Sequence, residues 1–256
     1  MERDAPVSTG PNARKSQVNA AGPKTGKRRA AVEICVGYLL ILLVEWTPRP
    51  WQRFVWIAAA AGIAIIVWRS FEGWRALGFT TANLARASWI AGAALTTAAI
   101  AIAIAAHLHT LRLPPGGVPG FVATYVAYAI WTGVQQFLLQ GFFLVRLQHL
   151  IPGRTAALAA AGLFAAAHFP NPILMPVTLI WGIAACLLFL RYRNIYPLMI
   201  AHAILGITVA MAVPGPAVHN MRVGLGYLTY SRYAHRHHSR GFQGIEPPPA
   251  PPSTQP

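Results

Sequence analysis

Residues 120–145 read GFVATYVAYAIWTGVQQFLLQGFFLV, a run without one charged side chain. A bilayer-spanning helix needs about 20 predominantly apolar residues, so this stretch is long enough to cross a membrane. It is not uniformly greasy. On a helix turning 100° per residue, Tyr125, Tyr128, Gln135, Gln136 and Gln140 fall within an arc of roughly 140° around Thr132. Hydrocarbon offers an amide no partner, so the stripe must face protein or a water-filled cavity. Hydrogen bonding between helices would account for such a stripe as well as a site does.

Six more apolar runs flank this one, at about 31–47, 54–68, 88–107, 155–169, 173–190 and 195–213. The chain is 55% hydrophobic and 11% charged, with a mean hydropathy of +0.46. Soluble domains carry roughly 25% charged residues, so lipid is the main solvent here. The expected fold is therefore all-α, a polytopic transmembrane bundle of about seven spans, or eight if 214–230 re-enters the membrane. The second and fifth runs are short and borrow flanking residues or sit in thinned bilayer. Thr47-Pro48-Arg49-Pro50, Pro114-Pro115-Gly116-Gly117 and Pro170-Asn171-Pro172 break the runs as turns. The stretch 73–87, GWRALGFTTANLARA, reads as an interfacial lead into the third span, with Trp74 at headgroup level.

Three regions follow: a basic, disordered N-terminal tail over 1–29, a transmembrane helical domain over 30–213, and an interfacial segment with a basic, Pro-rich tail over 214–256. The tail 1–29 lacks the apolar core of a cleaved signal peptide. The 21 Lys and Arg outnumber six Asp and Glu, but they sit at the ends of apolar runs. That placement marks membrane topology rather than nucleic-acid binding, and it favours a cytoplasmic N-terminus. Cys35 and Cys186 lie inside apolar runs and read as small buried hydrophobes, not as a disulfide or zinc motif.

Two histidines stand inside the spans, His168 in LFAAAH and His202 in PLMIAHAILG. At 1.5 Å per residue, Gln135 and Gln136 lie roughly 15 Å from Arg146, His168 roughly 21 Å from Arg154, and His202 roughly 12 Å from Asn194. The hydrocarbon core is about 30 Å thick, which puts all three sites near its middle. Ionisable groups at that depth point to function.

The order Gln135-Gln136-x-x-x-Gln140, Phe164-x-x-x-His168 and His202-x-x-x-Gly206 resembles the CPBP (Abi) intramembrane proteases, the CAAX- and bacteriocin-processing family. Its pattern is EExxxR, FxxxH and HxxxN or HxxxD on successive helices. The flanks QQFLLQGFFLVRLQHLIP, LFAAAHFPNP and LFLRYRNIYPLMIAHA are similar too, and the likeness covers roughly 120–210. It implies a CPBP-like core, and a peptidase whose glutamate activates water while histidines position it or stabilise the oxyanion. It implies catalytic positions at Gln135, Gln136, Gln140, His168 and His202, with Tyr128, Thr132, Phe164 and Gly206 lining a substrate cavity.

Only Phe164, His168 and His202 match that pattern as written. The glutamates fall on Gln135 and Gln136, the arginine on Gln140, and the final Asn on Gly206. A carboxylate can take a proton from water and a neutral amide cannot. Between Gly73 and Ile245 there is no Asp or Glu. Glu45 is one replacement base, although run topology sets it near the opposite face from His202. A neutral buried imidazole is another. No cofactor is certain from the sequence; a divalent metal such as zinc on His168 and His202 is the weaker alternative, because catalytic zinc usually has three protein ligands. His235, His237 and His238 read as a solvated basic tail.

Three functions compete. The first is an intramembrane endopeptidase of the CAAX-processing type, acting on a membrane-tethered or prenylated peptide. The second is a non-catalytic family member that binds a membrane peptide or lipid. The third is a small transporter, against which stands the lack of an inverted repeat. The partners expected are the bilayer and a tethered substrate, not nucleic acid, in a bacterial plasma membrane; the sequence leaves oligomeric state open.

Overall fold

The computed structural model describes residues 24–113 and 116–229. The described residues fold as helices joined by short turns, with no strand among them. Seven long helical stretches coincide with the seven apolar runs: α1 (Lys24–Trp46), α2 (Arg49–Arg69), α4 (Trp89–His107) led by the single turn α3 (Leu84–Ala87), α5 (Gly117–Gln136) with its continuation, α7 (Gly153–Ala166), α8 (Leu174–Tyr192) and α9 (Tyr196–Ala212). Arg49–Arg69, Leu84–His107, Gly117–Gln148 and Leu174–Tyr192 are long and apolar enough to cross a membrane. Helices α7 and α9 are shorter, at 14 and 17 residues. Leu39, Ile57, Ile65, Ile100, Ile104 and Ile130 are exposed and stand apart from the cavity described below. A soluble protein avoids an apolar surface of that extent, and a lipid-facing one needs it. The chain is a polytopic helical membrane bundle.

The prolines act as read. Pro50 stands in the first turn of α2 and Pro197 in that of α9, where a missing N–H costs nothing. By starting at Arg49, α2 reaches 21 residues and makes up the shortfall of its apolar run. Two boundaries differ from the sequence reading. Helix α1 begins at Lys24, inside the stretch taken as tail, and Arg29 is held there by Glu33 at 2.8 Å and by the Arg69 carbonyl at 2.9 Å. The fourth run is not one α-helix: Phe137–Leu144 winds as a π-helix before α6 (Val145–Gln148). Residues 1–23 and 230–256, including His235, His237 and His238, lie outside the described residues.

The core is built where α7, α8, α9 and the π-helix meet. Ala156, Ala157, Ala160 and Ala161 give α7 a fully buried small face. A Cβ at Gly182 of α8 would stand only 3.1 Å from Ala161 Cβ, so these backbones approach as closely as small residues permit. Phe142, Leu139, Phe189 and Leu198 fill the space between.

Polar clamps fix the turns. Asn194 donates to the carbonyls of Thr80 and Ala82 at 2.8 and 2.9 Å and accepts from Tyr196 N–H, docking the 73–87 stretch on the α8–α9 turn. Asn171 caps the start of α8 through Ile173 and Leu174 N–H and donates to the carbonyls of Val218 and Arg222. Gly224 N–H bonds the Phe169 carbonyl at 2.8 Å. Residues 214–229 are thereby tied to the α7–α8 turn.

Candidate active site

A cavity of about 1370 Å³ opens inside the bundle, lined from α1, α2, α4, α5, the π-helix, α7, α8 and α9. Its wall is almost entirely apolar. The polar exceptions include Gln135, Tyr128, His168 and His202.

His168 follows the last turn of α7, and its Nδ1 lies 2.7 Å from the Phe164 carbonyl oxygen. A carbonyl can only accept, so Nδ1 carries the proton and the neutral ring keeps its lone pair on Nε2. His202, on α9, is 8% exposed, and its Nδ1 is buried without a protein partner. The Phe164 ring makes a T-shaped contact with each imidazole, with centroids 4.9 Å from His168 and 6.0 Å from His202. Trp181 of α8 closes the far side of His202 at 5.7 Å. Two imidazoles from different helices thus share one apolar wall.

Helices α5 and α9 run antiparallel, with Tyr128 against Gly206 and Met199 Sδ beside Gly133. That register brings His202 level with Thr132. The glycine is needed: a Cβ at 206 would fall 2.8 Å from Tyr128 Cε1 and 2.9 Å from Cζ, and would meet the hydroxyl as well. Tyr128 therefore stands in the space that a side chain at position 206 would take.

The structure divides the glutamine stripe. Gln135 lines the cavity, whereas Gln136 and Gln140 are fully buried and their amide N and O atoms find no protein partner. Thr132 is also buried and donates to the Ala129 carbonyl at 2.9 Å. Tyr128, Phe164 and Gly206 line the cavity; Thr132 and Tyr125 do not. The π-helix begins one residue after Gln136, and such windings often mark functional sites.

Glu45, at the end of α1 that run topology sets near the opposite face from His202, lines the same cavity as His168 and His202. Glu33, nine residues into α1, pairs with Arg146 at 2.7 Å, so that part of α1 stands level with the turn before α7. Twelve residues on, Glu45 is about 18 Å higher, close to the roughly 21 Å that separates His168 from Arg154. Trp46 and Phe169, the next residues along, are stacked with ring centroids 6.2 Å apart. Tyr38 and Ile41 mark the same face of α1, at the i, i+3, i+7 spacing with Glu45. That periodicity was the available signal.

Among the described residues, no group of three His, Cys, Asp or Glu side chains closes around a metal-sized point. The donor set offered to zinc is two imidazoles, short of the usual three protein ligands.

Residues 118–208, from the first turns of α5 to the last of α9, match the model of the Rce1-like family, the type II CAAX prenyl endopeptidases. Comparisons with curated proteins and with solved structures give no match. The matched segment carries Gln135, Gln136, Gln140, Phe164, His168, His202 and Gly206, and over it the chain is similar to the CAAX-processing (CPBP) proteases.

Proposed function

We propose that this chain is an intramembrane peptidase of the CAAX-processing type, hydrolysing a peptide bond in a membrane-tethered or prenylated substrate. The observation that carries the reading is the contact of His168 and His202 with the Phe164 ring on the wall of a large apolar cavity. Such a cavity suits a lipidated chain, and imidazoles within it suit proton handling. His168 presents Nε2 as an acceptor to an attacking water. His202 donates to the carbonyl oxygen as it gains charge. Gln135 holds substrate or water by its amide.

A second reading, a non-catalytic member that binds a membrane peptide or lipid, draws support from the amides at positions 135 and 136. Neither can accept a proton from water. The charge asymmetry of its loops supports a cytoplasmic N-terminus, and the topology and family resemblance suit a bacterial plasma membrane.

Reconstitution with a panel of farnesylated CAAX peptides separates the two readings. Cleavage by the natural chain that disappears in His202→Ala supports the peptidase. Binding of the same peptides without cleavage, unchanged in His168→Ala, supports the second reading.

A further inference from the structure

Hydrolysis of an amide needs a group that takes a proton from water, and the segment matching the family has no carboxylate. We propose that Glu45, on a helix outside that segment, is the proton-accepting carboxylate of the cavity. The inference rests on the peptidase reading and names the base that reading lacks.

Three carboxylates lie among the described residues, Glu33, Glu45 and Glu72. Glu33 is committed to Arg29 at 2.8 Å and Arg146 at 2.7 Å. Glu72 is not on the cavity wall. Glu45 is on it, half-buried, and makes no ion pair or hydrogen bond among the described residues. A carboxylate in an apolar wall without a partner costs stability, which marks it as a group kept for chemistry.

Its position relative to His168 follows from Gly224. The Gly224 N–H holds the Phe169 carbonyl at 2.8 Å, and a Cβ at Gly224 would lie 3.0 Å from Glu45 Cβ. Gly224 has φ of +54°, a conformation that favours glycine. One glycine therefore packs against the backbone at Glu45 and bonds the residue after His168. Stacking of Trp46 on Phe169 fastens the same corner. Glu45 and His168 enter the cavity from adjacent helix ends. Arg49 and Arg53 also line the cavity.

The reaction balances on these groups. Water, oriented by His168 Nε2, attacks the peptide carbonyl carbon while one of its protons passes to Glu45. The carbon–oxygen bond forms, and the carbonyl electron pair moves onto oxygen beside His202. When the tetrahedral species collapses, the C–N bond breaks and the proton on Glu45 goes to the leaving amine. One water is consumed, an acid and an amine are released, and Glu45 returns to carboxylate.

The test uses the full chain in phosphatidylcholine–phosphatidylglycerol vesicles with a farnesylated CAAX peptide bearing a fluorophore and quencher. Glu45→Gln should lower kcat by about 100-fold or more, the scale of general-base catalysis, with KM little changed. Glu72→Gln should leave kcat unchanged. A hydrophobic carbodiimide should modify Glu45 of the natural chain, and activity should fall in proportion to the modified fraction. This readout stands even if Glu45→Gln does not fold. Full kcat in Glu45→Gln, with cleavage still lost in His202→Ala, overturns the role of Glu45 and leaves the peptidase reading intact. Full activity in carbodiimide-modified chains does the same. Absence of cleavage by the natural chain overturns both.

Discussion

The ring of Tyr128 occupies the space a side chain at Gly206 would need, with Cε1 and Cζ 2.8 and 2.9 Å from where that Cβ would stand. The resemblance to CPBP proteases sets an Asn or Asp at this position. Here a phenol on α5 replaces it as the polar group at that corner of the cavity.

Gly206→Ala should therefore overpack the α5–α9 contact and cost about 1–3 kcal/mol, with Gly206→Asn worse. Tyr128→Leu removes the obstructing ring, so the double variant should be more stable than the sum of the two single losses. Unfolding of the purified protein in detergent, followed by the loss of helical signal, measures all four chains.

Arg146 is 6% exposed and bonds Glu33, the Ser70 hydroxyl at 2.7 Å and the Phe142 carbonyl at 3.1 Å, with its guanidinium over the Phe142 ring. Removing one partner of a buried ion pair leaves a charge uncompensated, so Glu33→Ala should cost roughly 3–5 kcal/mol. Replacing both, as Glu33→Leu with Arg146→Met, should cost less than Glu33→Ala alone. The same unfolding assay reads the order of the variants.

Gln135 and Gln136 are neighbours in sequence with different surroundings. Gln135→Glu puts its charge on the cavity wall and should be tolerated. Gln136→Glu puts it where the amide already lacks partners, and should destabilise by more than about 2 kcal/mol or yield little folded protein. Equal loss in the two variants, by yield and unfolding midpoint, would contradict the division of the glutamine stripe.

Much of the fold was legible because the bilayer enforces it. Seven apolar runs became seven helical stretches, and the joints at 47–50 and 170–172 became turns, while Pro114 and Pro115 lie outside the described residues. The π-helix was not legible, since FLLQGFFL reads as any apolar α-helix. The arc drawn through Gln140 assumed α-helical turning and could not separate Gln135, which reaches the cavity, from Gln136 and Gln140, which do not. Both histidines were legible from their depth, which follows from 1.5 Å per residue, and from the spacing of the motifs around them. That Glu45 shares their cavity was not legible, because run topology does not say which helix ends meet. That depends on the Glu33–Arg146 pair, 113 residues apart, and on Gly224 between Glu45 and Phe169. Tyr128 against Gly206 is likewise a pairing between helices that no local pattern encodes.

The central claim is that the two imidazoles on one apolar wall support hydrolysis, and one comparison tests it most directly. The natural chain and His202→Ala, matched for folded protein in vesicles, are given the farnesylated CAAX peptide and the cleavage products identified by mass. The account predicts a single new terminus with the natural chain and a rate lower by about 100-fold or more with His202→Ala. Equal rates in the two chains, or no product with either, would contradict it.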